Sequence, residues 1–402
     1  MSKFQKLAGG VEVTKDLMLL LLIGGLYALS VALSNTFVNI YLWKQSGQFT
    51  DLGLYNLAIV IAQPLTFILA GKWAKKLDRV IVLRTGVIFL AVFYLSVLII
   101  GTRASDFLLL LGALQGIGNG FYWLAYNVLT FEITEPETRD FFNGFQGILT
   151  SVGGMCGPLA AGFIISNLKN FTGYSIVFGL SLVLFTLAVF LSFFLHRRPA
   201  EGKYYFKRII SERKFNHNWR LITNAHMMQG LREGIFAFLI SVYVFLSTGS
   251  EMALGTFGLI NSGIAFIAYY LVSRLLRRDQ RMKAILTGGI LLYAAIFLLI
   301  FQLSYEKLLI YAAVIALAYP LLLVPYTSIT YDVIGRGWNA VQMRIEYIVV
   351  RELYLNIGRI VSIAAFLVAI TYIDAEKSIP VLLLCAGAGH TLIYFFVRKV
   401  VL

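Results

Sequence analysis

Gly71-Lys72-Trp73-Ala74-Lys75-Lys76 is answered 202 residues later by Ser273-Arg274-Leu275-Leu276-Arg277-Arg278. Three basic positions coincide, and at the same spacing Arg79, Thr85 and Gly86 meet Arg281, Thr287 and Gly288. Upstream, with no gap, Tyr41, Gly47, Leu52, Gly53, Tyr55 and Leu57 meet Tyr243, Gly249, Leu254, Gly255, Phe257 and Leu259. The spacing is almost half of the 402-residue chain. It predicts two halves of like topology, and in a membrane protein two like halves suit a transporter that rocks one against the other.

The chain is 59% hydrophobic and 13% charged, against about 25% charged in soluble domains. Apolar stretches of about 20 residues recur from end to end, each able to cross a bilayer core of roughly 30 Å. In lipid the backbone must satisfy its own polar groups, so these stretches are helices. We expect twelve, over roughly 17–43, 51–73, 80–101, 106–132, 141–167, 172–195, 219–247, 253–275, 283–303, 306–331, 343–372 and 378–397. The first is too long an apolar run, with no small-residue cleavage site before it, for a removable signal. Cys156 and Cys385 fall inside apolar helices and read as small packing residues.

The net charge of +14 is a topology signal rather than a nucleic-acid footprint. One set of loops holds Lys3, Lys6, Lys15, Lys72, Lys75, Lys76, Arg79, Arg84, the basic run between Arg197 and Arg220, and Arg274 to Lys283. The opposite loops hold only Lys44, Arg103, Lys169, Lys307 and Lys377. The positive-inside rule then places both termini in the cytoplasm of a multi-pass plasma-membrane protein. The expected organisation is a six-helix bundle over 1–196, a basic cytoplasmic linker over 197–218, and a second bundle over 219–402, acting as a monomer. No G-x-x-x-x-G-K-[ST] phosphate loop occurs, so the driving energy must come from a gradient or a partner.

This all-α pattern of twelve helices in two repeats, with a basic loop after helix 2 echoed after helix 8, resembles the major facilitator superfamily along the whole chain. The family's G-x-x-x-D-[RK]-x-G-[RK]-[RK] is matched by Gly71-Lys72-Trp73-Ala74-Lys75-Lys76-Leu77-Asp78-Arg79-Val80. Gly71 and basic positions agree, but Lys75 replaces the acid that helps latch the halves, and Asp78 is the nearest stand-in. The R-x-x-Q-G-x-G of helix 4 keeps Gln115, Gly116 and Gly118 and lacks the Arg that members use in proton coupling. The exporters' G-x-x-x-G-P-x-x-G-G is met by Gly153 to Gly162, with Gly157 and Pro158 in register and Ala161 as the one departure. The resemblance implies alternating access and, from helix 5, export in exchange for protons. Small residues at such spacing are also ordinary helix-packing chemistry.

Polar groups at mid-membrane are costly unless they face a cavity or each other. On helix 7, Gln229, Arg232, Glu233 and Phe236 share a face at i, i+3, i+4, i+7 spacing. On helix 11, Glu352, Asn356 and Arg359 share another. One reading has Glu352 and Arg359 neutralising Arg232 and Glu233 as a structural network. The sharper one has Glu233 or Glu352 load and release a proton, since burial favours the neutral carboxyl and a nearby Arg the charged one. Helix 4 offers Gln115, Asn119, Tyr122 and Tyr126, flanked by Trp123 and Asn127. Helix 1 adds Tyr27, Ser30 and Ser34, and helix 10 a doubly broken stretch with Pro320, Pro325 and Tyr326. An aromatic, uncharged wall opposite a charged one suits an amphiphilic organic molecule; an aromatic helix interface is the plainer alternative.

The four His lie in the linker, near helix starts or in helix 12, and no His, Cys or acid cluster has metal-ligand spacing. We therefore expect neither a metal nor another cofactor, apart from a coupling proton. Glu132, Glu135, Glu137 and Asp140, around Arg139, should meet Lys72, Lys75, Lys76 and Arg79 in a surface charge cluster. No nucleophile–base constellation points to an enzyme. The leading expectation is export of an amphiphilic small molecule by proton antiport. A lipid flippase and a nutrient uptake permease on the same fold are the alternatives.

Overall fold

The computed structural model describes residues 14–133, 136–169, 171–197, 202–301 and 303–401. The described residues are helical, and eleven stretches are long and apolar enough to cross a membrane. One of these, Arg79–Thr130, is 52 residues long and makes two crossings joined by a 3-10 segment, Gly101–Phe107. Twelve spanning helices result.

In the first half these are α1 Lys15–Ser46, α2 Phe49–Lys76, α3 Arg79–Ile100, α4 Leu108–Ile133, α5 Pro136–Asn167 and α6 Thr172–Ser192. In the second they are α7 His217–Thr248, α8 Glu251–Leu275, α9 Arg281–Ala294 continued by Phe297–Ile300, α10 Tyr305–Gly335, α11 Arg344–Tyr372, and α12 Ala375–Gly387 continued by Gly389–Val397. α1 and α7 begin alike, with Thr14 and Asn216 accepting a backbone N–H as N-caps. They end alike too, on Gly47 and Gly249, each at φ 64°. Only glycine adopts that left-handed turn without strain, and the two glycines are mates in the 202-residue repeat.

The packing repeats with the sequence. α1 packs on α5 and α6, α2 on α4, and α3 on α4 and α6. Six helices later, α7 packs on α11 and α12, α8 on α10, and α9 on α10 and α12. The halves meet along α2–α11 and α5–α8, which are again equivalent pairs. Arg79 pairs with Glu132 at 2.9 Å, and its mate Arg281 with Asp332 at 3.3 Å. The other side chains of the expected charge cluster, Glu135, Glu137, Arg139 and Asp140, lie outside the described residues.

Two expectations need correction. α10 runs unbroken through Pro320 and Pro325, because neighbouring helices can re-satisfy the backbone groups that proline frees. The breaks fall instead in α9 and α12. Cys156 and Cys385 are exposed rather than packed. The basic linker contains a helix, Phe206–Phe215. It buries Ile209, whose carbonyl accepts from the Trp219 indole at 3.2 Å.

On the face of the basic loops the halves are fastened by charge. Lys75 pairs with Glu346 of α11 at 3.0 Å and donates to the Gln342 carbonyl at 2.6 Å. The linker joins in: Gly202 N donates to the Lys75 carbonyl at 3.0 Å, and Tyr205 N to Glu346 at 3.1 Å. Tyr204 packs on Gly71, and burial next to Glu346 raises its phenol above the usual range. Asp78, the nearest acid to the family position, lies at the start of α3. It caps α3 through Val80 N at 2.7 Å and holds Arg197 at 3.2 Å. On the far face Lys44 of α1 reaches Glu251 of α8 at 2.8 Å, and Tyr174 donates to the same carboxylate at 2.9 Å.

Candidate substrate cavity

Between the halves lies a cavity of about 840 Å³, lined by residues of α1, α2, α4, α5, α7, α8, α9, α10 and α11. Its size is that of a small-molecule site, and its two long walls differ in chemistry.

The second-half wall is built on a close helix contact. Gly230 and Gly234 of α7 lie against the α11 backbone at Leu355 and Arg359, and Gly358 lies against Met227 and Leu231. Without side chains there, the two backbones touch and bring the facing polar residues together. Arg359 donates through Nη2 at 2.6 Å and Nε at 3.2 Å to one oxygen of Glu233. The other oxygen accepts from Gln229 at 2.7 Å and from the Tyr319 hydroxyl at 3.1 Å. Every partner donates, the set that suits an ionised carboxylate. Behind it, His226 sits 3.1 Å from Gln229 and 3.4 Å from Thr330, which fixes the amide so that its NH2 faces Glu233. Asn356 accepts from Arg359 at 3.3 Å.

Arg232 is treated differently. It lines the cavity and is 6% exposed. Its guanidinium lies 4.6 Å from the Phe236 ring centroid and reaches Tyr311 Oη at 3.4 Å, and Nε has no hydrogen-bond partner. Among the described residues it makes no ion pair. The expected neutralisation of Arg232 by Glu352 does not occur, because Glu352 pairs with its neighbour Arg351 at 2.6 Å. Glu352 does not line the cavity.

The first-half wall is made of amides. Asn35 and Asn39 of α1, Asn56 and Gln63 of α2, and Gln115 and Asn119 of α4 all line the cavity. They are tied to one another: Gln115 donates to Asn35 at 2.7 Å, Asn56 to Asn39 at 2.9 Å, and Tyr55 donates to Gln115. The aromatic wall expected from α4 lies behind this layer. Tyr122 stacks on Tyr27 with centroids 3.8 Å apart, Trp123 meets Tyr27 edge-on at 5.2 Å, and Tyr126 donates to Gln146 at 2.8 Å. Only Asn119 of the predicted α4 set, with Gln115, faces the cavity, and Tyr27 reaches it indirectly by donating to Asn119 at 3.1 Å. Ser30 and Ser34 bond to Ser181 and Tyr94 in the α1–α6 and α1–α3 contacts. Tyr326 is buried against His226, ring centroids 4.8 Å apart, away from the cavity. The signal for the amide wall was available: Asn35/Asn39 and Gln115/Asn119 are i, i+4 amide pairs in apolar helices.

The α5 motif seats that helix in a groove between α1 and α8. Gly153 and Gly157 face the α1 backbone near Leu29 and Ala32, Pro158 faces Gly255 and Gly258, and Gly162 touches Glu251 and Met252.

Among the described residues, twelve spanning helices packed as two six-helix repeats around a central cavity are the frame of a membrane transporter. The chain belongs to the Major Facilitator Superfamily, whose family model matches residues 20–345. It is 60% identical over 400 residues to the uncharacterized protein YqgE of Bacillus subtilis (strain 168), covering 100% of this chain and 93% of that one. An uncharacterized Geobacillus stearothermophilus protein encoded in the sodM 3' region is 67% identical over 178 residues, 44% of this chain and 83% of that one. Among solved structures, the human organic anion transporter MFSD10 (TETRAN) superposes with a TM-score of 0.68 at 15% identity, covering 95% of this chain and 98% of that one. A bacterial homologue of the iron transporter ferroportin, in an outward-facing state with soaked iron, gives 0.66 at 17%, covering 96% and 99%. At such identities the likeness shows the fold alone.

Proposed function

We propose that this secondary transporter exports an amphiphilic organic small molecule across the plasma membrane by alternating access, with both termini cytoplasmic and Glu233 carrying the coupling proton. The observation behind this reading is the Glu233–Arg359 pair, which joins α7 to α11 on the cavity wall. While Arg359 holds it, the carboxylate is satisfied as an anion. A rearrangement that withdraws Arg359 leaves a lone carboxylate in a low-dielectric site, where taking a proton relieves the cost of its charge. An organic cargo is supported by the amide and tyrosine lining. Among the described residues no group of three or more His, Cys, Asp or Glu could hold a metal ion, which weighs against an iron cargo.

Export in exchange for protons rests on the resemblance of Gly153 to Gly162 to the exporters' motif. Purified protein in proteoliposomes tests this with a panel of labelled amphiphiles. Exchange predicts that vesicles acidic inside load the cargo. Cargo travelling with the proton predicts loading from an acidic exterior. In either case Glu233→Gln should remove the pH drive while leaving binding measurable. Full pH-driven flux in Glu233→Gln would end the proposal, and transfer of labelled lipid between leaflets, with no soluble cargo moved, would replace it by a flippase.

A further inference from the structure

From its unpaired state in the cavity wall, we infer that Arg232 is the docking point for an anionic oxygen group on the cargo, so that the transported molecule is an organic acid. This deepens the reading above and rests on it.

A guanidinium has five N–H donors and no acceptor. Here the protein offers one hydroxyl at 3.4 Å and one ring face, while Nε is buried with no partner. Leaving a buried charge so poorly matched is costly unless something else completes it. The protein has not completed it with its own acids. Glu233 lies one residue away in sequence but is held by Arg359, and Glu352 by Arg351. With those pairs cancelled, Arg232 is the surplus charge of the cavity wall. The repeat places Ser30 at the equivalent position of α1, where it is fully buried and bonded to Ser181. The cation therefore belongs to the second half alone, and the opposite wall is uncharged amides able to bond the rest of a polar molecule. A planar fork of donors fits a carboxylate, sulfonate or phosphonate head.

The test uses the full chain in detergent with three matched probes: 1-naphthoate, its neutral amide and 1-naphthylmethylammonium. Naphthoate should bind at least about tenfold more tightly than either, the worth of one charge-assisted contact. Arg232→Gln should abolish that preference, while Arg232→Lys should retain part of it. Should Arg232→Gln fail to fold, phenylglyoxal modification of Arg232 in the unaltered chain, mapped by mass spectrometry, must be slowed by naphthoate and not by the amide. Equal binding of the three probes, binding of none, or preference surviving in Arg232→Gln overturns the assignment. Selective binding with no flux in proteoliposomes would remove the transport reading and leave the anion site standing.

Discussion

Glu352 and Glu233 look alike in the sequence, each an acid beside an arginine in an apolar helix. In the fold, Glu352 turns to Arg351 away from the cavity, whereas Glu233 faces it and is held from another helix. Glu352→Gln should therefore leave pH-driven flux intact. It should cost roughly 1–3 kcal/mol of stability, the penalty for a buried charged group that loses its partner, read as a lower melting temperature in detergent. The difference between the two acids was not legible in the sequence, because i, i+4 spacing marks a helix face without saying what that face meets. Helix 1 shows the same gap. Tyr27, Ser30 and Ser34 share a face, but it packs on α3, α4 and α6, and the cavity is met by Asn35 and Asn39 instead. Charges were easy to pick out because they are rare in lipid. Uncharged amides weigh little in a hydropathy pattern, and that is why Asn35, Asn39, Asn56 and Gln63 went unread beside Gln115 and Asn119.

Elements were more legible than faces. Apolar length and the requirement that backbone groups bond within each span determine the number and order of helices almost alone. What that argument leaves out is how closely two helices approach. α7 and α11 touch backbone to backbone because Gly230, Gly234 and Gly358 leave the space, and the Glu233–Arg359 pair depends on that approach. A methyl group at Gly358 would meet the Met227 carbonyl. Gly358→Ala should lower stability by about 1–3 kcal/mol, the usual range for overpacking, and should push α11 outward. Its signature beyond stability is weaker pH drive with Glu233 still present, which a flux assay at matched protein amounts measures. The mid-helix prolines of α10 misled in the opposite direction, since a residue that breaks helices in water is accommodated between neighbouring helices in a membrane.

At the scale of the molecule, the 202-residue repeat returns as equivalent packing in both halves and as matched ion pairs at Arg79 and Arg281. The fastening between the halves is where the chain departs from the family pattern, with Lys75 on α2 and Glu346 on α11. Glu346 is fully buried and one of its oxygens has no hydrogen-bond partner, so the junction is sensitive to charge. With Cys156 and Cys385 replaced by Ala and a reporter cysteine at Asn35, Lys75→Glu should speed maleimide labelling from the basic-loop face several-fold. Combining it with Glu346→Lys should slow it again, and labelling equal in all three proteins would show that the pair does not hold the face closed. The inverted polarity also restricts ancestry and engineering. A first half taken from a relative with an acid in place of Lys75 would set that acid against Glu346, so chimaeras assembled from unlike halves should fail at this seam. At this seam the two halves are a matched set, and neither can change its charge without the other.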